Sequence, residues 1–365
     1  MVRFLTMVKK ILAIETSCDE TAMAVIKSQK TAFGWEFEVL SNIVASQIDI
    51  HKKWGGVYPE LASRAHLEAM IPVLTETLRP LNKKNQNNNL KILAKKIDLI
   101  AVTAEPGLIG SLLMGIETAE ILGAFFDKPV IKVNHLEGHI YSAFCALDQK
   151  LKIKNQSNKL KFKIPKTGIF PLLALVVSGG HTSLILMKDH LKYKTVAETI
   201  DDAAGEAFDK VGRILGLPYP GGPEIEKIAK LGNEKTYNLP IGLDGKKDFS
   251  FSGLKTAVLY LTKDPATGKK RAYNQADLAA SFQKTVADTL VQKTTTAIFN
   301  YQPKTLILTG GVSANSYIRE KFIRQFTNLP DAGTPINLLI PPKNLSTDNA
   351  VGTAVTGAIQ QFKKS

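Results

Sequence analysis

Cys18 and Cys145 are the only cysteines in 365 residues. So sparse a pair excludes a disulfide framework and fits a reducing compartment. No apolar run approaches the roughly 18 to 20 residues that a membrane span needs, and Met1 to Lys10 lacks the apolar core and cleavage site of a signal peptide. Cytoplasmic residence with no membrane partner is therefore expected. The Walker pattern G-x-x-x-x-G-K-[ST] is absent, which sets aside a P-loop. Acidic residues are few, 33 against 47 basic ones, leaving a net charge of +14.

The remaining composition, 44% hydrophobic and 22% charged, is that of a globular protein long enough for two domains. The charge is concentrated. Residues 82–96 hold five lysines and no acid, and residues 148–166 hold seven lysines and one Asp, supplying +5 and +6 of the total. Both segments are Lys/Asn/Gln-rich and read as solvated loops, either solubilising insertions or a surface turned to nucleic acid.

Apolar runs at Lys10–Glu15 and Thr21–Lys27 flank a polar turn, the signature of a hairpin with a polar tip. The same plan recurs at Leu172–Ser178, Gly179-Gly180 and His181–Met187, so two related halves are expected. Between them the pattern predicts helices over Pro59–Leu78 and Leu108–Phe126 and strands over Ile97–Thr103 and Pro129–Val133. Downstream it predicts helices over Ala203–Leu215, Pro223–Lys230, Leu254–Leu261, Asp277–Phe299, Ala314–Phe326 and Ala350–Phe362, with a strand over Lys304–Thr309. Strands alternating with helices make this an α/β protein with helix-covered sheets.

His135 and His139, four residues apart in His135-Leu136-Glu137-Gly138-His139, share one face of a helix and can grip one divalent metal. Two histidines satisfied within the fold are the plainer alternative. A zinc peptidase places its Glu next to the first His. Here Glu137 is two positions on, rotated by roughly 200° from His135, and it leaves the metal face. Two imidazoles leave a metal short of ligands, so a carboxylate from elsewhere is expected, with open positions for substrate. Acids cluster at predicted turns: Glu15, Asp19 and Glu20 at the first hairpin tip, Asp201 and Asp202 before a helix, Asp209 within it, and Asp348. Asp201, Asp202 and Asp348 can equally serve helix N-termini. Gly-rich turns follow buried strands at Val176–Thr182 and Thr309–Asn315, and Tyr219–Glu224 precedes a helix. Each is a plausible phosphate cradle, and together they suggest a nucleotide site divided between elements.

With these motifs assembled, the chain resembles the tRNA N6-adenosine threonylcarbamoyltransferase family, once labelled O-sialoglycoprotein endopeptidases, in its bacterial form. The matching runs are Ile14–Thr21, Gly55–Arg64 followed by His66, Asn134–His139, Val176–Thr182, Ile200–Lys210, Tyr219–Pro223, Phe249–Lys255, Gly310–Asn315 and Thr347–Asn349. They occur in order along nearly the whole chain. The two Lys-rich segments and a stretch near Asp264–Arg271 look like additions. Glu105 stands where the family usually has Gly, which puts loop geometry or tRNA docking there in question.

The resemblance implies the two-lobed fold of actin, sugar kinases and Hsp70, with duplicated β-sheet units, helices on both faces and nucleotide between the lobes. Residues 1–147 plus 349–365 would form the N-terminal lobe and 167–348 the C-terminal lobe. It also implies transfer of threonylcarbamoyl from threonylcarbamoyl-AMP to N6 of adenosine 37 in tRNAs reading codons that begin with A, releasing AMP. By position, His135, His139 and Asp348 match the family's metal ligands for Fe(2+) or Zn(2+). Val176, Val177, Ser178, Gly179, Gly180, Asp209, Gly222 and Asn315 match adenylate-binding positions, and Glu226 matches a ribose contact. Asp19 and Glu20 are candidates to accept the amine proton or position the base. Implied partners are tRNA, a paralogous TsaB-like subunit and a TsaE-like P-loop ATPase. The rivals are a small-molecule kinase of the same fold, a metallopeptidase and a non-catalytic scaffold.

Overall fold

The computed structural model describes residues 8–81, 89–147, 160–327 and 336–364. They form two compact units. The first comprises residues up to 50, 57–168 and 344 onward; the second comprises 51–56 and 169–343. Asp348, set at the end of the C-terminal lobe by sequence, thus belongs with the first unit.

The first unit opens with the meander β1 (Val8–Glu15), β2 (Glu20–Thr31) and β3 (Gly34–Ser46), to which β4 (Leu99–Glu105), β5 (Val130–Asn134) and β6 (Lys161–Pro165) are added. The sheet order is β5-β4-β1-β2-β3-β6, with β4 parallel to β1 and β5 parallel to β4. Its helices are the single turn α1 (Ile48–His51), α2 (Pro59–Leu78), α3 (Asn89–Lys96), α4 (Ile109–Phe126) and α5 (His135–Ser142). The second unit has β7 (Leu172–Val177), β8 (Thr182–Asp189), β9 (Lys192–Glu198), β10 (Thr305–Thr309) and β11 (Asn337–Leu339), in the order β11-β10-β7-β8-β9. Its helices are α6 (Ala204–Ile214), α7 (Gly221–Ala229), α8 (Ser252–Thr262), α9 (Gln275–Tyr301) and α10 (Ser316–Thr327). The short turn α11 (Lys343–Ser346) leads to α12 (Ala350–Lys364), which packs in the first unit against β1, β2 and α5. Apart from the edge strand β6, the two sheets have one strand order, as the repeated hairpin predicts.

Central strands here are apolar on both faces because helices cover both. Leu12, Ile14, Met23, Val25, Ile100 and Val102 face Met70, Val73, Leu74 and Leu78 of α2, each such side chain contributing roughly 1.5–3 kcal/mol by burial. Ala101 faces the other way, and a Cβ built on Gly357 of α12 would come within 2.7 Å of its Cβ, so small residues let that helix lie close. In the second unit Leu173, Leu175, Leu184, Leu186, Leu306 and Leu308 pack with Phe208, Phe282 and Phe322.

Three expectations need correction. The Lys-rich segments are not wholly loop: their parts at 82–88 and 148–159 lie outside the described residues, but Asn89–Lys96 is helix and Lys161–Pro165 is an edge strand. In β6, Phe162 and Ile164 are buried while Lys161 and Lys163 pair with Glu38 and Glu36, so a period-two pattern lay beneath the lysine count. Second, β3 and β9 were not expected: β9 alternates weakly and is largely exposed, and β3 alternates only over Trp35–Val39 before a partly exposed stretch. Third, α4 is an 18-residue helix of mean hydropathy 1.5, long and apolar enough by composition to cross a membrane. It carries Glu117 and Glu120, and its Ser111, Leu112, Gly115, Ala119 and Gly123 are buried in the first unit, where α4 packs on β4 and α2.

Candidate metal centre and nucleotide cleft

α5 begins where β5 ends. Asn134 caps it, its side-chain oxygen accepting from the backbone N–H of Leu136 (2.9 Å) and Glu137 (3.4 Å). The first and fifth helical residues are then His135 and His139, both buried. Against this turn lies the start of α12, where a Cβ on Gly352 would sit 1.9 Å from the carbonyl oxygen of Gly138. The missing side chain lets the helices touch and brings in Asp348. Asn349 holds that segment, donating to the carbonyls of Leu345 and Thr347 and accepting from Val351 N–H.

His135 Nε2 lies 3.7 Å and His139 Nε2 lies 3.2 Å from Asp348 Oδ1, and the three ligand atoms fall within 4.8 Å of one another. Zn–N and Zn–O bonds of about 2.0–2.1 Å at tetrahedral angles would hold such atoms roughly 3.3 Å apart. The set therefore fits a divalent ion. Behind it, His135 Nδ1 lies 3.2 Å from the Glu15 carboxylate and 3.1 Å from Ser17 Oγ. Since a carboxylate only accepts, Nδ1 donates to it, which aims Nε2 at the ligand point. Glu15 also accepts from Ser17 N–H (2.7 Å) and from Thr103 Oγ1. Burial opposes charge on both His135 and Glu15. The Glu15 and Asp348 carboxylates nonetheless raise His135 to about 9, and His135 holds Glu15 below the usual carboxylate range.

At the β1–β2 tip, Asp19 is buried and Glu20 partly so. Burial first, then the carboxylates of Asp348 and Asp19, lift the Glu20 carboxyl well above its ordinary range. His66, fully buried on α2, fixes this tip by bonding Thr21 Oγ1 (2.8 Å) and the carbonyl of Cys18 (3.0 Å). The loop after Glu105 also meets the tip, Leu108 N–H donating to the Ser17 carbonyl (2.8 Å), whereas the Glu105 side chain is exposed. Glu137 points elsewhere, accepting from Gln360 Nε2 (3.4 Å), so no carboxylate of a peptidase stands beside the histidines there.

The second unit holds an open cleft lined by Gly179, Gly205, Phe208, Asp209, Gly222 and Pro223 together with Glu226, Gly311, Val312, Ala314 and Asn315. Asp209 accepts from Gly221 N–H (2.7 Å), Glu226 from Ser316 N–H (3.1 Å), and Asn315 donates to Gln283 (2.9 Å) while accepting from Ile318 N–H. Gly310, at φ +90° with a would-be Cβ 2.4 Å from the Val177 carbonyl, lets the β10 turn press on the end of β7. Val176 and Val177 do not line the cleft: both are fully buried in β7, bonded to β8, with Val176 also paired to β10. Ser178 and Gly180 sit in the adjoining turn, where Ser178 Oγ accepts from His181 N–H (3.2 Å). Phe208 and Gly205, one on the buried face of α6 and one at its first turn, lie in the Ile200–Lys210 run but are not singled out by it as site residues; Gly205 is held at the cleft by its N–H, which donates to the Ser178 carbonyl (3.1 Å). Neither Asp201 nor Asp202 caps α6 by side chain. Asp201 instead serves the start of α8, accepting from Ser250 Oγ and from the backbone N–H of Phe251 (2.8 Å) and Ser252 (3.3 Å), and Asp202 accepts from Lys210 and Lys255.

A family model described as tRNA N6-adenosine threonylcarbamoyltransferase matches residues 38–154 and 156–355. The chain is 44% identical over 353 residues to the protein of that name from Bacillus subtilis, covering 96% of this chain and 90% of that one. It is 45% identical over 349 residues to the one from Thermosipho melanesiensis, covering 95% and 93%. Among solved structures it resembles HypF in its phosphate- and nucleotide-bound form (TM-score 0.55, 12% identity), covering 98% of this chain and 47% of that one. The HypF of T. kodakarensis matches equally (TM-score 0.55, 11% identity), with 100% and 50% covered. At such identity these show the fold alone, an actin-like α/β fold of duplicated sheets. With its sequence match spanning nearly the whole chain and its His-His-Asp cluster in place, the chain belongs to the tRNA N6-adenosine threonylcarbamoyltransferase family.

Proposed function

We propose that this enzyme transfers the threonylcarbamoyl group of threonylcarbamoyl-AMP to N6 of adenosine 37 in tRNAs reading codons that begin with A. The observation that carries the proposal is the convergence of His135, His139 and Asp348 in a chain that the family model matches over residues 38–154 and 156–355. The adenosine N6 attacks the carbamoyl carbon, the C–O bond to phosphate breaks, and AMP departs with the electron pair. The amine proton passes to a carboxylate. Asp19 and Glu20, at the β1–β2 tip, are the candidate acceptors. A divalent ion on the His-His-Asp set, iron or zinc, would supply Lewis-acid polarisation and orientation of the donor. Gly179, Asp209, Gly222, Glu226 and Asn315 offer the second unit's cleft to the adenylate.

The reaction belongs in the cytoplasm, with a paralogous TsaB-like subunit and a TsaE-like P-loop ATPase as helpers. Incubation of the purified chain with these partners, threonylcarbamoyl-AMP and unmodified tRNA, followed by mass analysis of nucleosides, should yield threonylcarbamoyladenosine. Unmodified adenosine throughout would overturn the reading.

A further inference from the structure

We propose that the hairpin running from Lys263 to Arg271 grips the phosphate backbone of RNA, an inference that rests on the tRNA-directed function above. The hairpin leaves the end of α8 and is closed by a β-bridge between Lys263 and Lys270, with Arg271 N–H donating to the Thr262 carbonyl (2.9 Å). Asp264 builds the turn. Its carboxylate accepts from Ala266 N–H (3.0 Å), Thr267 N–H (2.9 Å), Thr267 Oγ1 (3.1 Å) and Arg271 Nη2 (2.7 Å), while Gly268 N–H donates to its carbonyl (2.8 Å). The one acid of the hairpin is thus committed to Arg271 and to backbone.

Three cations remain. Lys263, Lys269 and Lys270 are exposed, and among the described residues none of them meets a carboxylate. Lys263 and Lys270 are moreover cross-strand partners in an antiparallel bridge, so their side chains leave the same face. Like charges directly opposed on a sheet destabilise it, and among the described residues no anion relieves them. A polyanion with closely spaced charges would. Tyr260, an exposed aromatic three residues before Lys263 on the last turn of α8, is tied to the hairpin by its carbonyl, which accepts from Arg271 Nη1 (3.1 Å). Lysines on a preformed turn next to an exposed ring are the chemistry of backbone contact with RNA.

Binding of unmodified tRNA is followed by fluorescence anisotropy over a salt series, for the full chain and for the Lys263→Gln/Lys269→Gln/Lys270→Gln variant. The expected result is an affinity loss of about tenfold at low salt, with the log–log salt slope reduced by about 2 to 3. The corresponding triple Arg variant keeps the charge and should bind as the parent does. Its binding confirms that a loss in the Gln variant is electrostatic, and its failure to bind counts against the proposal. Unchanged affinity and slope in the Gln variant, alongside a parent that binds and modifies tRNA, overturns the hairpin contact and leaves the function standing. Loss of an acidic protein partner with tRNA binding intact likewise overturns it. A parent that makes no modified nucleoside refutes the function itself.

Discussion

Glu15 touches no ligand point, yet it sets which nitrogen of His135 is free. Glu15→Gln should keep the fold and weaken Zn(2+) binding by about 10- to 100-fold, measured by chelator competition, since outer-shell carboxylates act through the ligand they orient. Asp202 illustrates a purely structural charge. Burial would raise its pKa, but hydrogen bonds from Lys210 and Lys255 hold it below the free value. A group whose folded pKa is depressed stabilises above its unfolded pKa, near 3.9, and loses that stabilisation as pH falls through the folded value. Asp202→Asn should therefore cost about 1 to 2 kcal/mol near neutral pH, with the gap to the parent closing below about pH 4 in denaturant titrations. At this scale the sequence was partly legible. Helical spacing pairs His135 with His139 and expels Glu137, but nothing local marks Asp348, which the family resemblance supplied. Glu15, Ser17 and Thr103 carry no signal either, because their role exists only once β1, β4 and α5 are side by side.

Among the elements, the contact between α5 and α12 is the most exacting. Gly352→Ala would drive a methyl into the Gly138 carbonyl, which the backbone can accommodate only by parting the helices. The expected result is a loss of about 2 to 3 kcal/mol on thermal melting and a fall in bound metal as Asp348 withdraws from the histidines. Helices with whole-turn apolar periodicity were legible nearly to the residue, as in α2, where Pro59 opens the helix at a position that needs no donor. Strands with one wet face were not. In β9 only Val196 and Ala197 are buried, so it presents no period to read. β3 does alternate over Trp35-Glu36-Phe37-Glu38-Val39, a legible signal, before a partly exposed stretch that has none. The lysines of β6 and α3 concealed elements whose buried residues, Phe162 and Ile164 in one and Ile92 and Leu93 in the other, are matched by charge in β6 and outnumbered by it in α3.

For the molecule as a whole, a ligand confined to the first unit should report on that unit's stability. Zn(2+) at about one hundred times its dissociation constant should add about 2.7 kcal/mol, raising the melting temperature by roughly 5 to 10 °C, as read by calorimetry. His139→Ala should abolish the rise. The metal set also has an order in time. His135 and His139 are synthesised more than two hundred residues before Asp348, and α12, which covers one face of the first sheet, comes later still. During synthesis the second unit has its whole sheet before the first unit has its last layer. The segment that opens the chain is thus the last to be completed, and a nascent first unit waits with one sheet face uncovered and two imidazoles lacking their carboxylate until the final helix emerges.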